Sequence, residues 1–259
     1  MGEWTSEIWN CREILYFLAW RDVKVRYKQA ALGVAWAVLQ PLFTMIILAF
    51  FFGRLAGIPS DGVPYPLFSY SALVLWTYFA ATLSQVGNSL VNNSYLITKI
   101  YFPRVLLPAA AAFGGLFDLV VSSVFLVGML VYYHVTPRWT VLLTPIFVGQ
   151  SVLLVMGAGM LLSALNVRYR DVKYTIPFLT QIGLFVTPII YPVTFLPQRF
   201  QGWLALNHMT GVIQGFRACL FGGHVEWEII ACSWVVTLAL LLVGGLHFRN
   251  TERVFADIV

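Results

Sequence analysis

Between Lys28 and Arg54 no side chain carries a charge, and the interval is almost wholly apolar. A helix needs about 20 such residues to cross the hydrocarbon of a bilayer. Five more charge-free intervals follow: 62–98, 105–137 interrupted only by Asp118, 139–167, 174–198 and 229–248. The chain is 59% hydrophobic and 10% charged. Soluble domains carry about 25% charged residues, so this composition cannot cover a water-soluble globule. The sequence predicts an all-α integral membrane protein, with residues 1–259 forming a single transmembrane domain. The expected spans are 31–53, 67–90, 105–133, 141–165, 174–194 and 229–248. The segment 195–228 is expected outside. Its charge-free part, 200–216, is short and holds Gly202, Asn207, His208, Thr210, Gly211 and Gln214, which suits a re-entrant helical hairpin between spans five and six.

Six spans put both termini on one side, and the Lys and Arg distribution says which. Of 16 such residues, 12 fall in segments on the side of the termini: Arg12, Arg21, Lys24, Arg26, Lys28, Lys99, Arg104, Arg168, Arg170, Lys173, Arg249 and Arg253. Arg54, Arg138, Arg199 and Arg217 fall on the other. The expected arrangement is multi-pass, in the plasma membrane, with both termini cytoplasmic. The net charge of +5 is placed at the ends of apolar runs, so it marks topology and not a nucleic-acid face. Glu3, Glu7 and Glu13 lie where a cleavable signal would carry its basic region, so none is expected.

The stretch WRDVKVRYKQAALGVAWAVLQP, residues 20–41, crowds cations against the first span. Tyr16, Trp20, Val23 and Tyr27 recur at helical spacing. Arg21, Lys24 and Lys28 fall on another face, and Asp22 and Arg26 are spaced for an i, i+4 pair. Residues 1–28 therefore read as an amphipathic interfacial helix that turns near Gly33 into the first span. Ordinary positive-inside flanking accounts for the charges alone, but not for the aromatic stripe.

In the fifth span, PFLTQIGLFVTPIIYPVTFLP, Pro188 and Pro192 each remove a helix hydrogen bond. Pro188 is expected to break the span within the membrane, which is tolerated beside a cavity or inside protein. Pro192 and Pro197 suit its end equally well. Asp118 is the one carboxylate inside a span. Its ordinary role there is to bond neighbouring helices or face a wet cavity; a single acid without a second buried charge is a poor proton relay.

Nothing points to catalysis. There is no phosphate-cradling G-x-x-x-x-G-K-[ST] loop and no nucleophile elbow. His134, His208, His224 and His247 lie at span ends or in the outer segment, and Cys11, Cys219 and Cys232 have no ligand or disulfide spacing,. No metal and no cofactor is expected in this chain. Aromatic residues make up 16%. Trp36 and Phe43 share a face of the first span, and Tyr70, Trp76, Tyr78 and Phe79 cluster in the second. Such groups suit helix packing and lipid contact, and equally a sugar-binding lining.

Five motifs in order resemble one known family. They are WRDVKVRYKQAALGVAWAVLQPL, NNSYLITKIYFPRVLLP, NVRYRDVKY, FVTPIIYP and LNHMTGVIQGFRACLFG. The chain resembles, over almost its whole length, the membrane subunit of ATP-binding cassette exporters of cell-surface polysaccharide, such as O antigens and teichoic acids. His208 departs from the pattern, since the family more often has proline after that asparagine. The resemblance implies the type 2 exporter fold, a homodimer, and two copies of a separate ATPase that binds ATP and Mg. It implies a substrate glycan carried on a polyprenyl pyrophosphate. It makes the N-terminal helix a gate, with Arg21, Lys24, Arg26 and Lys28 where the lipid pyrophosphate arrives. It makes residues 92–103 the ATPase-coupling element, with Ser94, Tyr95, Leu96, Ile97, Lys99, Tyr101 and Arg104 as contacts. A channel between two copies would be lined by Trp36, Phe43, Tyr70, Trp76, Tyr78, Phe79, Phe185, Pro188 and Tyr191. Two rival readings are an exporter of small hydrophobic compounds with the same fold and a membrane-embedded glycan-modifying enzyme. The lack of clustered acids, bases or metal ligands weighs against the enzyme.

Overall fold

The computed structural model describes residues 11–28, 32–99, 102–136, 138–169, 171–222 and 226–252, with backbone only at 198–201. Among these residues the regular structure is helical. Helix α1 spans Arg12–Lys28, and a 3₁₀ turn at Gly33–Ala35 leads into α2, Trp36–Leu48, which continues as a π-helical stretch over Ala49–Leu55. Helix α3 is Tyr65–Asn92, α4 Ser94–Lys99, α5 Leu106–Tyr132 and α6 Thr144–Arg168, the last preceded by a 3₁₀ turn at Trp139–Leu143. Then come α7 Val172–Val186, α8 Gln198–Leu206, α9 His208–Phe221 and α10 Trp227–Glu252. Five stretches are long and apolar enough to cross a membrane: Gly33–Leu55, Tyr65–Asn92, Leu106–Tyr132, Trp139–Arg168 and Trp227–Glu252. The protein is a multi-pass membrane protein.

Helix α3 is the central post. It packs against α2, α5, α6, α7 and α9. Its apolar window is 78% buried, against 17% for the first span. A helix enclosed on all sides must satisfy its own polar side chains. Ser69 donates to Tyr65 O (2.9 Å), Ser71 to Phe68 O (2.8 Å) and Ser89 to Val86 O (2.7 Å), so each hydroxyl is paired within α3 itself. Pro64 and Pro66 start the helix where a missing N–H costs nothing.

The fifth span differs from the expectation of 174–194. Helix α7 has 15 residues, about 22 Å at 1.5 Å per residue, less than a bilayer core of about 30 Å. It stops at Val186, and Thr187 turns extended, with ψ 143°. The ring of Pro188 disfavours helical geometry in the residue before it, and Thr187 is extended there, so the helix ends at this proline, although the same helix carries Pro177 within it. A 3₁₀ turn at Val193–Phe195 follows, then the helix pair α8 and α9. Asn207 caps α9 by accepting from the Met209 N–H at 3.1 Å, and its amide donates to Thr187 Oγ1 at 2.9 Å. Gly222, at φ +69°, closes the helix in the left-handed conformation glycine tolerates,.

Helices α6 and α10 meet backbone to backbone at Gly157 and Gly244. A Cβ on Gly157 would lie 2.6 Å from Leu241 N and 2.7 Å from the Leu240 carbonyl carbon; one on Gly244 would lie 3.0 Å from the Gly157 carbonyl carbon. Small residues permit this approach where apolar burial alone gives little preference between helix faces. Gly157→Ala and Gly244→Ala are expected to cost about 1–3 kcal/mol each through overpacking. Gly128→Ala and Gly149→Ala, facing open space, are expected to be neutral or slightly stabilising. Thermal unfolding of the detergent-solubilised protein separates the two pairs.

Candidate functional site

Helix α1 rests on α5 where Gly114 leaves room. The Cβ position of Gly114 lies 3.6 Å from Ala19 O, 3.9 Å from Asp22 Cβ and 3.9 Å from Val23 Cγ2. Leu18 and Val23 are buried in this contact. The aromatic stripe expected on one face therefore divides. Tyr16 and Trp20 are exposed, with Phe17 and Val25. Val23 is buried, and Tyr27 turns inward against Phe117, ring centroids 5.7 Å apart.

The four cations divide as well. Lys24 and Lys28 are exposed, Lys24 with its ammonium 5.5 Å from the Trp20 ring. Arg21 donates to Asp22 Oδ1 at 2.7 Å and to Asn93 Oδ1 at 2.9 Å. Arg26 donates to Asp118 Oδ2 and Gln85 Oε1, and the Tyr27 hydroxyl donates to the other oxygen of Asp118. The expected Asp22–Arg26 pair does not form. Asp118 and Gln85 offer Arg26 two acceptors from α5 and α3, while Asp22 lies beside Arg21. Asp118 thus binds a neighbouring helix, as expected of a lone acid in a span, and its partner comes from α1.

Two cavities meet at this cluster. One, about 470 Å³, is lined by Arg21, Asp22, Arg26, Gln85, Asn92 and Asn93 among others. The second, about 230 Å³, lies between α1, α2, α3 and α5, with Arg26, Gln40, Thr77, Gln85, Asp118 and Ser122 in its wall. Arg26 and Gln85 line both.

The expected lining residues separate by exposure. Trp36 (51%), Phe43 (55%) and Phe185 (56%) are exposed. Tyr70, Trp76, Tyr78 and Phe79 are buried within this one chain, although Tyr78 shares the wall of the cavity of about 230 Å³ with Trp36. They fill the helix interface: Trp76 packs on Phe79 at 5.5 Å, and Tyr78 donates to Ala112 O at 3.2 Å. Pro188 is buried too, and Tyr191 is half-buried, its hydroxyl donating to Val186 O at 3.1 Å.

In the 92–103 stretch, α4 exposes Tyr95 and Lys99 and half-buries Ser94 and Leu96. Ile97 points into a cluster with Leu90, Phe102, Val105, Leu106 and Phe248. Arg104 is not a free rim charge: its backbone N–H donates to Glu252 Oε1 at 2.9 Å and its guanidinium to Glu252 O. Tyr101 lies outside the described residues.

One residue the sequence reading treated only as an outer charge proves central at the opposite end. Arg217 is buried on α9. It donates to Pro188 O at 2.7 Å, Ile189 O at 3.0 Å and Phe68 O at 2.9 Å, and its guanidinium carbon stands 3.5 Å from the Phe68 ring centroid. The Tyr65 hydroxyl takes Ile190 O at 2.7 Å. The carbonyls freed where α7 ends are thus met by side chains from α3 and α9. The signal was present in the sequence: Arg217 sits on the apolar stripe Ile213, Phe216, Leu220, where a charge must find buried acceptors.

Residues 13–221 match the ABC-2 type transporter family. The chain belongs to the ABC-2 type transporter family. It is 25% identical over 255 residues to the O-antigen export system permease protein RfbA of Myxococcus xanthus, covering 97% of each chain. It is 28% identical over 250 residues to a protein of the same name from Klebsiella pneumoniae, covering 95% of each. Against the polysialic acid transport protein KpsM of Escherichia coli it is 21% identical over 243 residues, 90% of this chain and 91% of the relative. The family match includes both the Arg26–Asp118 cluster and Arg217. In this ABC-2 permease, Arg217→Met is expected to leave the carbonyls of Pro188 and Ile189 short of a donor, at about 1–3 kcal/mol each, while Phe68 O keeps the Ser71 hydroxyl. Arg217→Lys restores charge but not the planar fork, so it is expected to recover only part of the loss in thermal stability.

Proposed function

We propose that this chain is the membrane subunit of an ATP-driven exporter that moves a polysaccharide linked to polyprenyl pyrophosphate from the cytoplasm across the plasma (inner) membrane. The observation that carries this reading is end-to-end similarity: relatives named as O-antigen export permeases align over 95–97% of both chains. Two copies of the chain form the translocation unit, and two copies of a separate ATPase bind ATP and Mg. The absence of a P-loop in this sequence agrees with hydrolysis on another polypeptide. Both termini and the 92–104 loop face the cytoplasm, and α8 and α9 form the re-entrant hairpin of the outer leaflet. Exposed Lys24 and Lys28 draw the anionic lipid to the surface; cations near such a surface are worth about 1 kcal/mol each. The exposed aromatics Trp36, Phe43 and Phe185 remain the candidates for a glycan-facing wall between two copies.

Tyr95, exposed on α4, is the aromatic anchor for the ATPase, and Lys99 adds a rim charge. Buried aromatic anchors dominate such contacts and rim charges add little. Tyr95→Ala is expected to cut recovery of the ATPase with the permease, and surface glycan, by about tenfold or more, while Lys99→Ala stays within about twofold. Equal harmlessness of both changes to assembly and export would remove α4 as the docking element. Surface glycan that persists in cells lacking this subunit would overturn the export reading itself.

A further inference from the structure

The reading above brings an anionic lipid to α1, yet Arg26, the cation that faces the interior, is already held by Asp118 and Gln85. The two side chains of the ion pair are 25% and 23% exposed. A pair so placed is neither fully screened by water nor locked in a dry core. It also stands where the two cavities meet, the larger one beside Arg21 and Asn93 (the outer) and the smaller one between α1, α2, α3 and α5 (the inner), since Arg26 and Gln85 line both. The other oxygen of the carboxylate accepts from the hydroxyl of Tyr27, the next residue on α1. Asp118 keeps this bond while the guanidinium changes partner and gives it up only when α1 itself moves.

We propose that Asp118 is a built-in rival of the substrate's diphosphate: it holds Arg26, and through it α1, in the closed position until a diphosphate arriving in the outer cavity takes the guanidinium over. This rests on the lipid-diphosphate reading and names how that site is regulated. A diphosphate brings more negative charge and more acceptor oxygens than one carboxylate, and a guanidinium binds such oxygens as a fork. Exchange of one anion for another leaves the charge of Arg26 compensated throughout, so no bare cation is exposed to hydrocarbon. Release also opens the barrier between the two cavities at one point, beside the contact of α1 with Gly114. Asp118 is a positioning residue here; the group that meets the substrate is Arg26.

The test uses the intact permease–ATPase complex in nanodiscs, with geranylgeranyl diphosphate as probe and ATP hydrolysis as readout. Removing the rival with Asp118→Asn keeps the shape and an acceptor for Tyr27. The concentration of probe giving half-maximal stimulation is expected to fall about tenfold, the equivalent of about 1.4 kcal/mol. An unchanged or higher concentration overturns the proposal and leaves the lipid-diphosphate reading standing. A wild-type complex that the probe does not stimulate at all overturns both. Inorganic pyrophosphate is run alongside: stimulation by it at the same concentration means that a free anion, not a lipid headgroup, works the exchange, and overturns the lipid as its trigger. If Asp118→Asn does not assemble, the swap Arg26→Asp with Asp118→Arg decides. A swap that restores assembly but leaves export about tenfold low supports the exchange, because the cation no longer belongs to α1. Full export by the swap overturns it, as does failure of both variants to assemble, which makes the pair a folding element only.

Discussion

A polar side chain at membrane depth has little water to fall back on, and most of those buried in the described residues find a partner on another helix or within their own; Gln150 Oε1, Ser151 Oγ, Thr210 Oγ1 and Gln214 Oε1 do not. That constraint explains where the helices are pinned. Arg26, Tyr27, Gln85 and Asp118 tie α1 to α3 and α5 at one end. Arg217 and Tyr65 tie α9 and α3 to the unwound carbonyls of residues 188–190 at the other. At the Arg26 end as well, Asn166 on α6 donates to Gly87 O and Asn88 Oδ1 on α3, both at 3.0 Å. Apolar side chains are as content against lipid as against one another, so polar pins and close glycine contacts fix register where hydrophobic burial cannot.

The two ends of the molecule use this constraint differently. At the Arg217 end a guanidinium meets neutral carbonyls, an arrangement that holds an irregular segment still. At the Arg26 end a guanidinium meets a partly exposed carboxylate, the contact on which the proposed exchange of partners rests. Helix α3 joins the two ends, since Phe68 near its start accepts from Arg217 and Gln85 near its finish accepts from Arg26.

Much of the fold was legible because charge-free intervals are a direct record of span positions, and five of them appear as long apolar helices. The end of α7 was not, because Pro188 stands inside an unbroken apolar run and hydropathy cannot separate a kink from a stop. The partner of Arg26 was hidden for a different reason. Asp22 lies one helical turn away, where local spacing predicts a pair, whereas Asp118 lies 92 residues away and leaves no local mark. The aromatic cluster of Tyr70, Trp76, Tyr78 and Phe79 could be counted from sequence, but its burial depends on five neighbouring helices around α3. The family resemblance could be carried by ordered motifs because they span nearly the whole chain, and the family match over residues 13–221 agrees with it. Arg217 could have been singled out as the one charge on an apolar helical stripe.

The docking of α1 on α5 carries the rest of the account, because Arg26 reaches Asp118 only from that position. Asp22 Cβ lies 3.9 Å from where a Cβ on Gly114 would stand, within the range of a disulfide. The direct measurement is oxidative cross-linking of Asp22→Cys with Gly114→Cys, in a protein whose Cys11, Cys219 and Cys232 are replaced by serine, read as a mobility shift on a non-reducing gel and as surface glycan in the same cells. The expected result is rapid cross-linking within one chain, loss of export in the cross-linked form, and return of export on reduction. Failure to cross-link, or full export with α1 fixed to α5, would contradict it.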